Sequence, residues 1–320
     1  MNILIDSAIL IFSSICIMRT ADILVSGAVE LSLALRLSKV LIASTLVSLV
    51  TTMPEFIVSV SSSNMGVSGM AVGNAVGSCI CNIGLVFAVG IMIKSVKIDK
   101  KELTEKILIL LVSLSVVLFL GNNGVIGRNG AALLFMLLAL FMYLNYLTAL
   151  KQRKEIEHEI GAEKGEHNIY QSLFKLFAGG FLTVLLARYG LVNPGINIAN
   201  FLGVPSILIG LTLVAVGTSL PELFTAIVSS RKGHGEIAVG NVIGANILNL
   251  LWVLGAAAMV RPLSIDAQTI LFNIPVAIFF ALLMLYFGMK EGKFYRINGM
   301  IMFLLYVVYV FALFMFLYRG

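Results

Sequence analysis

Long apolar runs alternate with short polar breaks along the whole chain, and most runs are longer than the core elements of a water-soluble domain. Runs of spanning length fall at about 4 to 33, 40 to 64, 68 to 94, 104 to 122, 128 to 150, 171 to 200, 206 to 230, 236 to 260, 266 to 288 and 297 to 318. The pattern predicts an all-α polytopic membrane protein of ten transmembrane helices. The one long polar break, KQRKEIEHEIGAEKGEH from Lys151 to His167, falls between the fifth and sixth runs. It divides the chain into a first five-helix repeat (1–150), a cytoplasmic linker loop (151–170) and a second five-helix repeat (171–320).

The polar positions inside the runs occur twice. TLVSLVTTMPEFIVSVSSSNMGVSGMAVGNAVGSCICNI, from Thr45 to Ile83, aligns without a gap with TLVAVGTSLPELFTAIVSSRKGHGEIAVGNVIGANILNL, from Thr212 to Leu250, at a constant offset of 167 residues. Thr51 meets Thr218, Pro54 meets Pro221, Glu55 meets Glu222, Asn74 meets Asn241, Gly77 meets Gly244 and Asn82 meets Asn249. Between Leu41 and Gly90 about 19 of 50 positions are identical, and because the polar residues coincide, a duplicated sequence is implied.

Composition supports the class: of 320 residues, 59% are hydrophobic and 12% charged, about half the charge of ordinary soluble domains. The net charge of +6 is spread over loops rather than striped along one face, which argues against a nucleic-acid partner. Counted over alternate loops, Arg36, Lys39, Lys94, Lys97, Lys100, Lys101, Lys106, Lys151, Arg153, Lys154, Lys164, Lys175, Arg231, Lys232, Lys290, Lys293 and Arg296 fall on one side, against Arg128, Arg261 and Arg319 on the other. The crowded side is expected to be cytoplasmic, with both termini extracellular in the cell membrane. An odd number of helices per half inverts the second half relative to the first, so inverted repeats meeting near the bilayer midplane are expected. The first run is too long and lacks the basic start of a removable signal peptide, and is expected to remain as a helix.

The second run of each half carries a proline and a glutamate, and an ionisable residue inside a span is a functional-site hypothesis by default. Pro54 is expected to free the carbonyl of Val50, and Pro221 that of Gly217. Ser48, Thr51 and Glu55 share one helix face, with Thr52 beside it; Ala215, Thr218, Ser219 and Glu222 are their counterparts. On the next helix Asn74, Ser78 and Asn82 line one face, as do Asn241, Ala245 and Asn249, while Gly73, Gly77, Gly240 and Gly244 permit close helix approach. Two carboxylates among neutral oxygens form a hard site of charge −2, which suits Ca²⁺ better than Mg²⁺ and excludes soft metals. Protonated, purely packing glutamates are disfavoured because both recur with their proline. For Asn74 and Asn241, interhelical bonding and ion contact are both open.

Other polar residues point to structure. Arg19 and Asp22, three apart on the first helix, are expected to neutralise each other; Glu30 lies near a helix end and Arg188 lacks a local partner. Ser59 and Ser61 to Ser63 read as packing residues. Cys16, Cys79 and Cys81 read as small packing residues rather than disulfide partners or metal ligands, and His158, His167 and His234 are placed in loops.

GTSLPE with GNVIGANILN, and TTMPE with GNAVGSCICN, resemble the two alpha repeats of the sodium/calcium exchangers of the cation/calcium exchanger superfamily, and most closely the archaeal and bacterial type. The motifs cover two blocks, and the ten-helix inverted layout extends the resemblance over nearly the whole chain. It implies a secondary antiporter exchanging Ca²⁺ for Na⁺ by alternating access, not an enzyme. Ca²⁺ and Na⁺ would be bound as cargo, with no cofactor, in a monomer or weak homo-oligomer within the lipid bilayer. Glu55 and Glu222 would coordinate Ca²⁺ with the carbonyls of Thr51 and Thr218. Ser48, Ala215, Thr52, Ser219 and Ser78 would serve flanking Na⁺ sites, and Asn82 and Asn249 would complete the centre. The TTMPE and GTSLPE motifs depart from the GNAxE pattern of proton-coupled relatives, which favours Na⁺ as the coupling ion. Asn249 stands where many relatives carry aspartate, Ala245 where serine is usual, and Ser48, Val50 and Thr52 where alanine, glycine and serine are usual.

The nearest rival is a cation/proton exchanger using the same carboxylates as proton carriers. A channel lacks a recognisable filter loop. An intramembrane protease would need a second buried aspartate beside Asp22, or a histidine within a span.

Overall fold

The computed structural model describes residues 3–160, 168–201 and 215–319. The backbone is almost wholly helical, since a chain crossing lipid must satisfy its N–H and C=O groups internally. In order it forms α1 (Ile3–Leu35), α2 (Lys39–Thr51), α3 (Met53–Asn64), α4 (Ser68–Ile93), α5 (Lys100–Gly121), α6 (Arg128–Ile160), α7 (residues 169–201), α8 (Ala215–Thr218), α9 (Leu220–Arg231), α10 (Gly235–Val260), α11 (Thr269–Glu291) and α12 (Arg296–Arg319). Single π-helical stretches interrupt α2 at Ala43–Val47, α4 at Asn82–Phe87, α7 at Ala187–Val192 and α10 at Asn249–Val253, and open α11 at Thr269–Asn273.

Among the described residues, eight helices are long and apolar enough to cross a membrane, and nine when the bent pair α2 and α3 counts as one span. The chain is therefore a multi-pass membrane protein. Of the seventh expected span, 206–230, the stretch before Ala215 lies outside the described residues. The expected linker loop differs from the structure: α6 runs on to Ile160, so the first ten residues of the polar break are helical and carry His158 out of a loop. Lys151, Lys154 and their acidic neighbours are good helix formers, and nothing there stops a helix already begun. Residues 161–167, with His167, lie outside the described set.

Short antiparallel ribbons tie the two halves at both ends of the bundle. β1 (Val96–Lys97) pairs with β4 (Lys293–Phe294) in the register Val96↔Phe294, and β2 (Val125–Ile126) pairs with β3 (Leu263–Ser264) as Val125↔Ser264. One further bond extends each ribbon, Ile98 N–H to Gly292 O and Ile265 N–H to Gly124 O, both 2.9 Å. At the β1 end, Ser38 donates to Glu102 and Gln152, at 2.5 and 3.0 Å, and Lys39 meets His234 at 3.1 Å. At the β2 end the hydroxyls of Ser68 and Ser264 are bonded. The short polar breaks thus alternate between two ends, and the crowded basic breaks share one.

The main core is built on α4 and α10, whose spanning windows are 72% and 83% buried, against 17% for α6 and α12 at the periphery. Phe87, Ile80, Ile91, Ile243, Ile247 and Leu254 fill it. A second cluster joins α1, α2, α7 and α9 through Leu24, Leu31, Val47 and Leu176. Exposed Phe119, Phe174, Leu271 and Phe311 lie on the outer surface, where lipid is the solvent.

The embedded charges of α1 are paired across helices rather than along one. Asp22 bonds Lys232 at 2.6 Å, not Arg19, and Glu30 bonds Lys175 at 2.6 Å. Arg188 lies over the ring of Tyr189.

Gly240 and Gly244 face α2 so closely that a Cβ on Gly244 would stand 2.4 Å from Ser44 O. Among the described residues no atom lies so near Gly73 or Gly77. Gly244→Ala is expected to destabilise the fold by about 1–3 kcal/mol through overpacking. Gly127→Ala, which meets nothing within 4 Å among the described residues, should be near neutral. Thermal unfolding of the purified variants in detergent tests the difference.

Candidate functional site

The site forms where the second helix of each half stops and restarts. α2 ends at Thr51, Thr52 takes φ −79° and ψ 0°, and α3 begins with Pro54 in its first turn. In the second half α8 ends at Thr218, Ser219 takes φ −86° and ψ 7°, and α9 begins with Pro221 in its first turn. The prolines therefore start helices rather than kink them, because first-turn N–H groups have no intrahelical partner to lose. The α2–α3 bend is 47°.

This local design places the acids. Glu55 and Glu222 each lie in the first turn after the break, where the partial positive charge of a helix N-terminus favours a carboxylate. Both are fully buried, together with Ser48, Thr51, Thr52, Asn82 and Asn249.

A polar scaffold from both halves surrounds them. Ser78 on α4 and Ser219 at the other break each donate to Glu55 Oε1 at 3.4 Å. Asn74 Nδ2 donates to Glu55 O at 3.2 Å and to Ser59 Oγ at 2.9 Å. Thr51 Oγ1 donates to Asn241 Oδ1 at 3.2 Å, and Thr218 Oγ1 to Asn74 Oδ1 at 3.4 Å. Each of these threonines thus bonds the asparagine of the other half, so Asn74 and Asn241 make the interhelical bonds that were one of the two readings open in the sequence. Ser59 and Ser63 also bond backbone carbonyls, of Ala71 at 3.1 Å and Ala257 at 2.6 Å, as packing residues do.

Inside this scaffold several buried oxygens have no hydrogen-bond partner among the described residues: Glu55 Oε2, both carboxylate oxygens of Glu222, Asn82 Oδ1, Asn249 Oδ1 and Thr52 Oγ1. A buried polar atom left unsatisfied costs about 1–3 kcal/mol, and more when charged. Hard oxygens of net charge −2, held in one region, fit a hard cation. The donor set contains no imidazole.

Two expected contributors stand differently. The hydroxyl of Ser48 donates to Thr45 O within its own helix at 3.1 Å and lies against Gly244. Ala215 opens α8. The sequence reading missed Asn246, which accepts from Asn82 Nδ2 at 3.0 Å and donates to Cys79 O at 3.0 Å. Repeat identity could not find it, because its counterpart is Cys79; the available signal was an amide within an apolar run, three residues before Asn249.

The family model described as sodium/calcium exchanger protein matches residues 6–147 and 172–315. The chain is 29% identical to the sodium/calcium exchanger MaX1 of Methanosarcina acetivorans, over 98% of this chain and 99% of that one. It is 33% identical to the inner membrane protein YrbG of Escherichia coli, over 82% of each. Among solved structures it is similar to the sodium-calcium exchanger NCX_Mj soaked with Na⁺ and Sr²⁺, with a TM-score of 0.83, 27% identity, and 96% of this chain and 98% of that one covered.

Glu55→Gln and Glu222→Gln each remove half of the cluster's charge without changing its shape. Each is expected to abolish measurable divalent-cation binding while the protein remains inserted and folded. Equilibrium binding of radioactive Ca²⁺ to the purified variants checks this, and parent-like binding by either would remove that carboxylate from the site.

Proposed function

The chain belongs to the sodium/calcium exchanger family, whose members are secondary transporters and not enzymes, and from that premise we propose that it exchanges Ca²⁺ for Na⁺ by alternating access at the oxygens around Glu55 and Glu222. The family implies Ca²⁺ and Na⁺ as the transported ions. The observation that carries the assignment to this cluster is its set of buried carboxylate and amide oxygens without partners, contributed by both halves.

In this reading Glu55 and Glu222 bind Ca²⁺ together with the carbonyls of Thr51 and Thr218, which sit at the helix ends where backbone oxygens lose their intrahelical partners. Thr52, Ser219 and Ser78 supply hydroxyls to flanking Na⁺ sites. Ala215 can offer only its carbonyl, and the hydroxyl of Ser48, which donates to Thr45 O, keeps its oxygen lone pairs for a flanking Na⁺. Asn82 and Asn249 face the centre with neutral oxygens. Both ions are cargo, and no resident cofactor is assigned. One chain supplies every ligand, so a monomer suffices.

Ca²⁺ neutralises two carboxylates in one step, and Na⁺ ions do so separately at flanking positions. Competition for the same charge couples the two fluxes. Alternating access is supported by the placement of the site at two helix breaks, which divide each span into halves able to tilt independently. Two inverted five-helix repeats are supported by the crossed ribbons, since β1 and β3 occupy equivalent positions in the two halves, as do β2 and β4.

Na⁺-gradient-driven Ca²⁺ uptake by proteoliposomes, with and without a proton uncoupler, tests the assignment. Uptake that follows the Na⁺ gradient and survives the uncoupler is expected. Uptake that follows the proton gradient and collapses with the uncoupler would overturn it in favour of cation/proton exchange.

Orientation follows from the basic end of the bundle, which the positive-inside rule assigns to the cytoplasm, leaving both termini outside. In a background lacking Cys16, Cys79 and Cys81, an impermeant thiol reagent added to intact cells should label Asn129→Cys and spare Lys97→Cys. The opposite pattern would reverse the orientation.

A further inference from the structure

We propose that Asn246 is a positioning residue that fixes the amide of Asn82 so that Asn82 Oδ1 faces the cation; this rests on the reading of the Glu55 and Glu222 cluster as the Ca²⁺ site.

The chemistry of donors and acceptors leaves one arrangement. The carbonyl of Cys79 can only accept, so the Asn246 atom 3.0 Å from it is Nδ2. Asn246 Oδ1 is then the atom turned toward Asn82, and an amide oxygen can only accept. The Asn82 atom 3.0 Å away must be Nδ2, which leaves Asn82 Oδ1 pointing elsewhere, fully buried and without a partner among the described residues. The backbone of α4 therefore dictates, through Asn246, which end of the Asn82 amide is presented. The Cys79 thiol completes the link by bonding the carbonyl of Asn246 at 3.6 Å.

The equivalent amide in the second half has no such control. Among the described residues neither Oδ1 nor Nδ2 of Asn249 has a partner, and the residue corresponding to Asn246 in the other half is Cys79, whose side chain carries no amide. Asn82 is a preoriented acceptor, whereas Asn249 must be oriented by the ion itself. An unrestrained Asn82 would spend part of its time with N–H groups toward the cation, where they repel it. The effect of Asn246 is therefore exerted on affinity and only through Asn82.

Saturation curves for Na⁺-driven Ca²⁺ uptake, with equilibrium Ca²⁺ binding, are compared for the parent, Asn246→Ala, Asn82→Ala and the double variant. Asn246→Ala is expected to raise the KM for Ca²⁺ by about 10–100-fold, as loss of a ligand-orienting partner does, with the maximal rate nearly kept. In the Asn82→Ala background the same substitution should have no further effect on KM. A parent-like KM in Asn246→Ala, or losses that multiply in the double variant, would overturn the proposal. If Asn246→Ala fails to insert, Asn246→Ser, whose hydroxyl cannot bridge both partners, is read by the same cycle; failure of both to insert would make the residue structural and overturn it too. A parent that neither binds nor moves Ca²⁺ removes the site reading itself. A parent that binds Ca²⁺ and loses it in Glu222→Gln, but not in Asn246→Ala, removes only this inference.

Discussion

Glu55 and Glu222 are shielded completely from solvent in a protein whose surroundings are lipid, and a carboxylate so placed is stable only if a proton, a positive helix end or a cation compensates it. Much of the fold around them answers that requirement. Each acid sits in the first turn of a helix that begins at a break, so the backbone supplies partial positive charge without introducing a lysine or arginine beside the cluster. A fixed cation there would be a permanent counter-ion and would abolish exchange. Helix N-termini compensate only in part, and in the proposed exchange the remaining charge is left for a mobile ion. The most buried spans, α4 and α10, wall the cluster with amides and hydroxyls rather than charges.

The same economy explains why the two halves interlock. Thr51 holds Asn241, Thr218 holds Asn74, Ser219 reaches Glu55, and β1 and β2 find their partners in the opposite half. In lipid, apolar contact between helices has little water-driven force, so close packing and interhelical hydrogen bonds carry the association. Placing those bonds at the site makes its geometry a product of both halves. Displacement of either half must then alter the coordination that each carboxylate sees.

Much of this was legible in the sequence because duplication amplified it. An offset that brings Pro-Glu onto Pro-Glu, and asparagine onto asparagine twice, isolates polar positions that hydropathy alone would blur. Among the described residues, the positions of eight spans, or nine with the bent pair, followed from apolar length. The departures have separate physical causes. A proline can kink a helix or start one, and only the backbone angles of Thr52 and Ser219 decide. Asp22 had a candidate partner three residues away on its helix, yet it pairs with Lys232 from another element, a contact the linear spacing cannot show. The α6 helix ran into the polar break because charge ends a membrane span without ending a helix. Asn246 was hidden because the repeat places it opposite a cysteine, and a contact between unlike residues leaves no trace in self-similarity.

The π-helical turns show how a helix can serve a polar site and an apolar packing face in succession. Asn74, Ser78 and Asn82 descend α4 at intervals of four and keep one face toward the carboxylates. At Asn82 the helix widens into a π turn, as α10 does at Asn249. The extra residue per turn rotates everything beyond it relative to the α-helical register. The next positions at intervals of four, Val86 and Gly90, are already apolar, so the polar stripe ends in the sequence and the rotation decides which residues meet the bundle. With it, Gly84 is brought against α12, so close that a Cβ would lie 2.8 Å from Tyr306 Cβ, and Phe87 and Ile91 enter the core. The last amide of the stripe thus marks the depth at which each central helix stops lining the site and starts holding the bundle together.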